Sequence, residues 1–302
     1  MKHIVTFSGG KDSQATCIWA KKNLKEAWSI AFCDTAWESP ITYSFILELE
    51  QSMNAPSNHL NSKKYQGFID LIHQKKRFPS TKARFCTEEL KVKPMIDYIL
   101  DEVGSDCMIY QGIRWEESSS RSKLEATDCY FKHYYEPIIK IDPKSGEEKK
   151  SYHTYRKKEV LAYLKQYEAT VKRPIISWSG TATIQYILDN GYRYNPLYDF
   201  GFARVGCFPC IMCTHSELQL MIEHFPERID LIRQHEQATD STFFPPDYIP
   251  NRYCSKLVTR KKTGKQVKVP TIDDVVRYIK DRRMKQQKIF VSSCKNIYVP
   301  CE

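Results

Sequence analysis

The opening of the chain constrains its fold more than any other stretch. An apolar run, His3-Ile4-Val5-Thr6-Phe7, gives way to Ser8-Gly9-Gly10-Lys11-Asp12-Ser13. A segment at 13–25 with Ala15, Ile18 and Trp19 on one helical face follows, and then a second apolar run at 28–33. Strand, turn, helix and strand in this order predict a right-handed βαβ unit with parallel strands. The two glycines free the turn for positive φ, so that its N–H groups can face an anion. Lys11 adds a full charge, and the start of the helix adds the positive end of its dipole. A nucleotide's phosphates suit such a cradle. The spacing is not G-x-x-x-x-G-K-[ST], because only Gly9-Gly10 precede the lysine. A Gly-Gly-Lys-Asp turn also serves as a plain surface loop, and its place straight after the first strand argues against that use.

Further along, 41–53, 68–75 and 94–103 read as helices, and 107–111 as a short strand leading into Gly112-Ile113-Arg114. The expected fold class is α/β, a doubly wound, Rossmann-like parallel sheet with ligands at the strand C-termini. Residues 142–150 read as a turn or hairpin tip, 157–165 as a helix, and 181–190 as a helix closed by Gly191. From 194 onward loops and cysteines dominate, followed by a basic hairpin at 256–269 around Thr263-Gly264. A last helix, 272–285, has its N-cap at Thr271. A length of 302 residues leads us to expect two regions, a nucleotide-binding domain at 1–175 and a smaller cysteine-containing, metal-binding and basic region at 176–302. With no run of about 18 apolar residues and no charged-then-apolar leader, a soluble cytoplasmic protein without a membrane partner is expected. The net charge of +10 concentrates at 256–268 and 280–288, which fits either a nucleic-acid footprint or a basic solvated surface.

Several side chains stand where chemistry is expected. Asp34 ends the second strand, where a carboxylate can meet a ribose, an adenine amine or a metal ion, or can cap the next helix. Asp12 fits a magnesium ligand or a helix-start carboxylate. Arg114 and Arg121, just after a later strand, are candidate anion clamps through the bidentate guanidinium fork, or ion-pair partners of nearby glutamates. Eleven cysteines point to metal or redox chemistry rather than a disulfide scaffold. Cys207, Cys210 and Cys213, separated by two x₂ gaps, bring three thiolates around one point. For a fourth ligand Cys86 is the first choice and Cys294 or Cys301 the next, while His215 would favour zinc. Soft thiolates suit an Fe–S cluster or structural zinc, and three buried thiols without metal are the remaining alternative. Trp178 and the run Tyr194-Asn195-Pro196-Leu197-Tyr198 could pack under the cysteine loop or stack a base.

Taken together these residues resemble the phosphoadenosine phosphosulfate (PAPS) reductase-like family of the PP-loop ATP pyrophosphatase superfamily. The resemblance is carried by Ser8 to Ser13, Asp34-Thr35-Ala36-Trp37-Glu38-Ser39-Pro40, Arg84-Phe85-Cys86-Thr87 with Leu90-Lys91-Val92-Lys93-Pro94, and Gly112 to Arg121. Pro174-Ile175-Ile176-Ser177-Trp178 and the run from Asn195 to Cys207 extend it. It implies that Ser8, Gly9, Gly10, Lys11, Asp12, Ser13 and Asp34 bind the nucleotide, and that Lys11, Asp12, Arg114 and Arg121 carry the chemistry. It also implies a [4Fe–4S] cluster on Cys86, Cys207 and Cys210, with Zn²⁺ as the alternative. The family pairs two adjacent cysteines where Phe85-Cys86 offers one, a gap Cys213 could fill.

Relatives that reduce PAPS or adenosine phosphosulfate (APS) have lost the Gly-Gly-Lys-Asp core, which this chain keeps. The resemblance therefore implies ATP with Mg²⁺, cleaved to AMP and pyrophosphate during sulfur transfer to nucleic acid, as in DNA phosphorothioation or tRNA thiolation. A sulfur donor such as a cysteine desulfurase would be a partner, and a homo-oligomer the assembly. The first alternative is a PAPS or APS reductase releasing sulfite, with Cys294 or Cys301 as nucleophile, although the usual Glu-Cys-Gly-x-His surroundings are missing. The second is a metal-stabilised nucleic-acid-binding module with a vestigial nucleotide site.

Overall fold

The computed structural model describes residues 1–141, 146–259 and 264–295, with 140 and 285–295 described through their backbone alone. The chain folds into two compact units. The first comprises Met1–Phe68 and Cys86–Phe208, the second Ile69–Phe85 and Pro209–Glu302. A single cut at 175 is therefore displaced in two ways. Residues 176–208 belong with the nucleotide loop, because their helix and turn pack on α1 and α2 of that unit, while 69–85 belong with the C-terminal region.

In chain order the first half runs β1 (Lys2–Phe7), α1 (Lys11–Asn23), β2 (Trp28–Cys33), α2 (Pro40–Met53), β3 (Ser57–Leu60), α3 (Phe68–Lys75), α4 (Phe85–Thr87), α5 (Lys93–Tyr98) and β4 (Cys107–Tyr110). Then come β5 (Thr127–Cys129), β6 (Ile138–Ile141), β7 (Glu148–Ser151), α6 (Lys157–Tyr163), β8 (Ala169–Lys172) and α7 (Gly180–Asp189). The remainder is α8 (His215–His224), α9 (Pro226–Thr239), β9 (Lys256–Thr259), β10 (Gln266–Val269) and α10 (Ile272–Lys295).

In the first unit six strands form one sheet in the order β3-β2-β1-β4-β8-β5, parallel except for β5, which runs antiparallel to β8. The connections leave β1 toward β2 on one side and return to β4 on the other, so the switch point of this doubly wound sheet lies between β1 and β4. The expected α/β class is what the sheet shows. Alternation along β1 explains why both faces are covered. Ile4 joins a cluster with Met95, Ile96 and Ile99, whereas Val5 and Phe7 join Ala15, Ile18, Phe45 and Ile46 on the opposite face.

Local signals set the helix ends. α1 starts at Lys11, two residues before the sequence reading places it, since Gln14 N already donates to Gly10 O at 3.0 Å. Ser39 accepts from Ile41 N at the head of α2, Pro40 takes the first turn, and Asn54 closes the helix in the left-handed region. The 94–103 reading is too short. Helical turns run from Phe85 to Val103, with π-helical stretches at Glu88–Val92 and Ile99–Val103 on either side of α5.

In the second unit α8, α9 and α10 pack together, and β9 pairs antiparallel with β10. Its core includes Leu218, Ile232, Phe243, Phe244, Ile272 and Val275. The loop-dominated reading of the region after 194 is corrected here by α8 and α9. α8 opens on a capping box in which Thr214 and Glu217 bond each other's backbone N–H groups. Asp274 N donates to Thr271 Oγ1 at 3.3 Å, in keeping with an N-cap at Thr271. Thr263 of the hairpin turn, residues 142–145 of the expected hairpin tip, the Cys294 side chain and Cys301 lie outside the described residues. Among the described residues no helix is long and apolar enough to cross a membrane.

Candidate nucleotide-loop site

Ser8 to Asp12 sit where β1 hands over to α1, at the sheet's switch point. Gly9 adopts φ +76°, and a Cβ there would stand 2.6 Å from Thr42 Cγ2. Glycine is thus required at this place by both conformation and space. Ser13 Oγ donates to Gly10 O at 2.9 Å and accepts from Ser8 N at 3.2 Å, which folds the turn back on the helix start. Gly112, after β4, approaches the same backbone so closely that a Cβ would lie 2.5 Å from the Asp12 carbonyl carbon and oxygen.

That approach delivers Arg114. Its Nε donates to Asp12 Oδ1 at 2.5 Å, its Nη1 donates to Glu116 Oε2 at 2.8 Å, and its backbone N donates to Glu117 Oε2 at 2.9 Å. Arg121 pairs with the other side of Glu117. In this arrangement both arginines engage carboxylates, the second of the two uses that their sequence surroundings allow. Burial pushes the Asp12 carboxyl above its ordinary value, against the opposing pull of the Arg114 guanidinium.

Asp34 ends β2. Its Oδ1 accepts from Ala36 N at 2.8 Å and from the Tyr43 hydroxyl at 2.7 Å. The Tyr43 hydroxyl also reaches Glu38 Oε2 at 3.1 Å, and Glu38 is buried. Ala36 stands at φ +51° within this turn. Phe208 N donates to Trp37 O at 2.8 Å, and Cys207 bridges Glu38 through the backbone, with its Sγ 3.7 Å from Thr35 Oγ1.

A model of the phosphoadenosine phosphosulfate reductase domain matches residues 2–213. The chain belongs to this family. An uncharacterized 37.8 kDa protein of Escherichia phage 186 is 28% identical over 83% of this chain and 81% of its own length. An uncharacterized protein of Methanocaldococcus jannaschii is 27% identical over 74% of this chain, which spans only 39% of that relative. The adenosine 5′-phosphosulfate reductase of Anoxybacillus flavithermus is 24% identical over 63% of this chain and 65% of its own length. A crystal structure of PAPS reductase from Candida auris aligns with a TM-score of 0.43 at 15% identity, covering 68% of this chain and 81% of that one.

Within this reductase-domain chain the cysteine candidates divide between the units, Cys86 and Cys207 in the first, Cys210 and Cys213 in the second. Among the described residues no group of three His, Cys, Asp or Glu side chains is placed to hold a metal ion. Cys213 is buried, and burial pushes its thiol up to about 12. His215 Nε2 meets the Tyr248 carbonyl at 2.8 Å, and its ring lies edge-on to Tyr248 and Tyr278. A nitrogen donating to that carbonyl is not a metal ligand, which leaves only Nδ1.

Two residues beyond the expected site set shape the loop. Asn195, fully buried, donates to Gly9 O at 3.1 Å and to Thr42 Oγ1 at 3.3 Å, while its Oδ1 accepts from Leu197 N. The Tyr198 hydroxyl accepts from Lys11 N at 3.0 Å. Their sequence cue is the turn signature Asn-Pro-Leu-Tyr, which gives no hint of a target so far away in the chain.

Proposed function

We propose that this chain is a PP-loop enzyme that uses ATP to adenylate an acceptor during sulfur transfer to nucleic acid. One observation carries the reading: the Ser8-Gly9-Gly10-Lys11-Asp12-Ser13 turn is complete and lies at the switch point between β1 and β4, with Gly9 at φ +76°. In this reaction an acceptor oxygen attacks the α-phosphorus of ATP, the bond to the bridging α–β oxygen breaks, and pyrophosphate leaves with the electron pair. The loop N–H groups and the Lys11 ammonium hold the charge that develops on the leaving group. Asp34, at the end of β2, is the ribose or adenine contact. Arg121 and Arg114 steady the anion-binding turn through Glu117 and Asp12. Mg²⁺ bound with the nucleotide would supply further charge neutralisation.

A soft-metal centre, [4Fe–4S] or Zn²⁺, on Cys86, Cys207, Cys210 and Cys213 belongs to the same proposal, supported by the two x₂ gaps between the last three and by the family resemblance at Cys86, and no step of the adenylation passes through it. The basic segments at 256–268 and 280–288 support nucleic acid, DNA or tRNA, as the acceptor. A cysteine desulfurase would supply the sulfur that displaces AMP.

Purified protein with ATP and Mg²⁺ should release pyrophosphate, and DNA or tRNA should stimulate that release; no pyrophosphate under any of these conditions sinks the reading. The names of the Anoxybacillus relative and of the phosphoadenosine 5′-phosphosulfate reductase of Citrobacter koseri favour a second reading, reduction of APS or PAPS to sulfite. Thioredoxin-dependent sulfite release would establish it in place of the first.

A further inference from the structure

Oxygens of one segment stand against the positive groups of the nucleotide loop. Tyr198 Oη accepts the Lys11 N–H at 3.0 Å, and the Lys11 ammonium lies 4.9 Å from the Tyr198 ring centroid. The same ammonium reaches the Ala203 carbonyl at 3.5 Å. Above Gly10, the place a Cβ would take is 3.3 Å from the Val205 carbonyl oxygen and 3.5 Å from Tyr198 Oη. Each is a lone-pair oxygen, the kind of atom a phosphate presents. The segment carrying them is tied down at both ends, by Asn195 on Gly9 O and by Phe208 N on Trp37 O.

We propose that Tyr198 sets the affinity of the nucleotide loop: its hydroxyl occupies the Lys11 N–H in place of a phosphate oxygen, and a ligand's phosphoryl group seats by taking that N–H from it. The inference rests on the reading that this loop binds a nucleotide's phosphates. The exchange is favourable because the hydroxyl is neutral, and burial raises the phenol further above its ordinary value. A phosphoryl oxygen accepts a charge-assisted hydrogen bond, roughly twice as strong as a neutral one. Tyr198 therefore keeps the helix start satisfied when no ligand is present and gives way to a charged one.

The test compares the full chain with its Tyr198→Phe variant, using inorganic pyrophosphate as the calorimetric probe. Removing the competing oxygen should tighten pyrophosphate binding by about three- to tenfold, the worth of one net hydrogen bond. The melting temperature should fall at the same time, since the Lys11 N–H loses its acceptor. A Tyr198 that only capped the helix would also lower the melting temperature but would not tighten binding. Unchanged or weaker binding overturns the proposal and leaves the nucleotide reading standing. Binding to neither protein overturns both. If the variant does not fold, ¹³C-labelled Tyr198 in the unaltered chain replaces it. Its ring resonances should move on pyrophosphate addition while those of Tyr163 stay, and an unmoved Tyr198 refutes the displacement.

Discussion

Arg114 and Asp12, 102 positions apart in sequence, meet Nε to Oδ1 at 2.5 Å, with side-chain exposures of 6% and 16%. A pair this buried is weak evidence for net stability, but breaking it from one side strands a charge away from water. The pair also links the turn after β4 to the first turn of α1, the two edges of the sheet's switch point.

Arg114→Ala should therefore cost about 3 kcal/mol of unfolding free energy. Asp12→Asn should cost less, because Arg114 keeps Glu116 and lies 3.5 Å from the Trp178 carbonyl. Urea unfolding of both variants checks the order, and a loss below about 1 kcal/mol for Arg114→Ala would show the pair to be solvated.

The two glycines of the site should answer differently to alanine. In Gly9→Ala the main obstacle is a side-chain methyl, Thr42 Cγ2, so Thr42→Ser in the same chain should recover part of the loss while the positive φ keeps its cost of about 1 kcal/mol. Gly112→Ala meets the Asp12 backbone instead, which cannot step aside, and no side-chain trimming should rescue it. Thermal melts of the four proteins decide this; full rescue of Gly9→Ala by Thr42→Ser would contradict the strain argument.

Asn195→Ala removes two donations and one acceptance at a fully buried site, and should lower stability by about 2 kcal/mol. Asn195→Asp should be worse, since an acceptor oxygen would then face the Gly9 carbonyl. Amide exchange at Gly10 and Lys11 should quicken in both variants, and protection equal to that of the parent chain would be the contrary result.

Glu236 predicts a pH dependence in the second unit. Its carboxylate accepts from Phe243 N at 2.7 Å and Ile272 N at 2.8 Å, yet burial dominates and raises its pKa from 4.5 to about 7. The folded state then binds the proton more tightly than the unfolded one. This contribution to stability is complete below about 4.5 and is lost as pH rises through 7, by a few kcal/mol at most, given about 1.4 kcal/mol per pKa step. Glu236→Gln should be less stable at pH 5 but flatter between pH 5 and 8. Parallel melting curves for the two proteins across that range would rule the explanation out.

The elements that can be read from sequence carry their own periodicity. β1, α1 and β2 announce themselves through Ile4-Val5, Ala15 with Ile18, and Ile30-Ala31-Phe32, all buried as a doubly wound sheet demands. β3 reads Ser57-Asn58-His59-Leu60 with only Leu60 buried, so as an edge strand it leaves no apolar run to find. α8 and α9 are legible in principle, through the Thr214-to-Glu217 capping box and Pro226 at the start of a helix, but cysteine density draws the reading toward loops. At the site, Gly9 and Lys11 belong to a local pattern. The partner of Arg114 and the targets of Asn195 and Tyr198 depend on contacts spanning more than a hundred residues, which spacing does not encode.

The second unit is assembled from two separate pieces of chain, 69–85 and the C-terminal region, and Phe78 of the first piece packs edge-on against Phe243 of the second at 5.2 Å. During synthesis the early piece leaves the ribosome long before Phe243 exists, and Phe78 must wait without that partner. A stop codon near the boundary at 208 would leave the early piece permanently without the rest of its unit. Neither unit can be cut out as one continuous fragment, and shortened versions of this protein should be recovered from cells as aggregates.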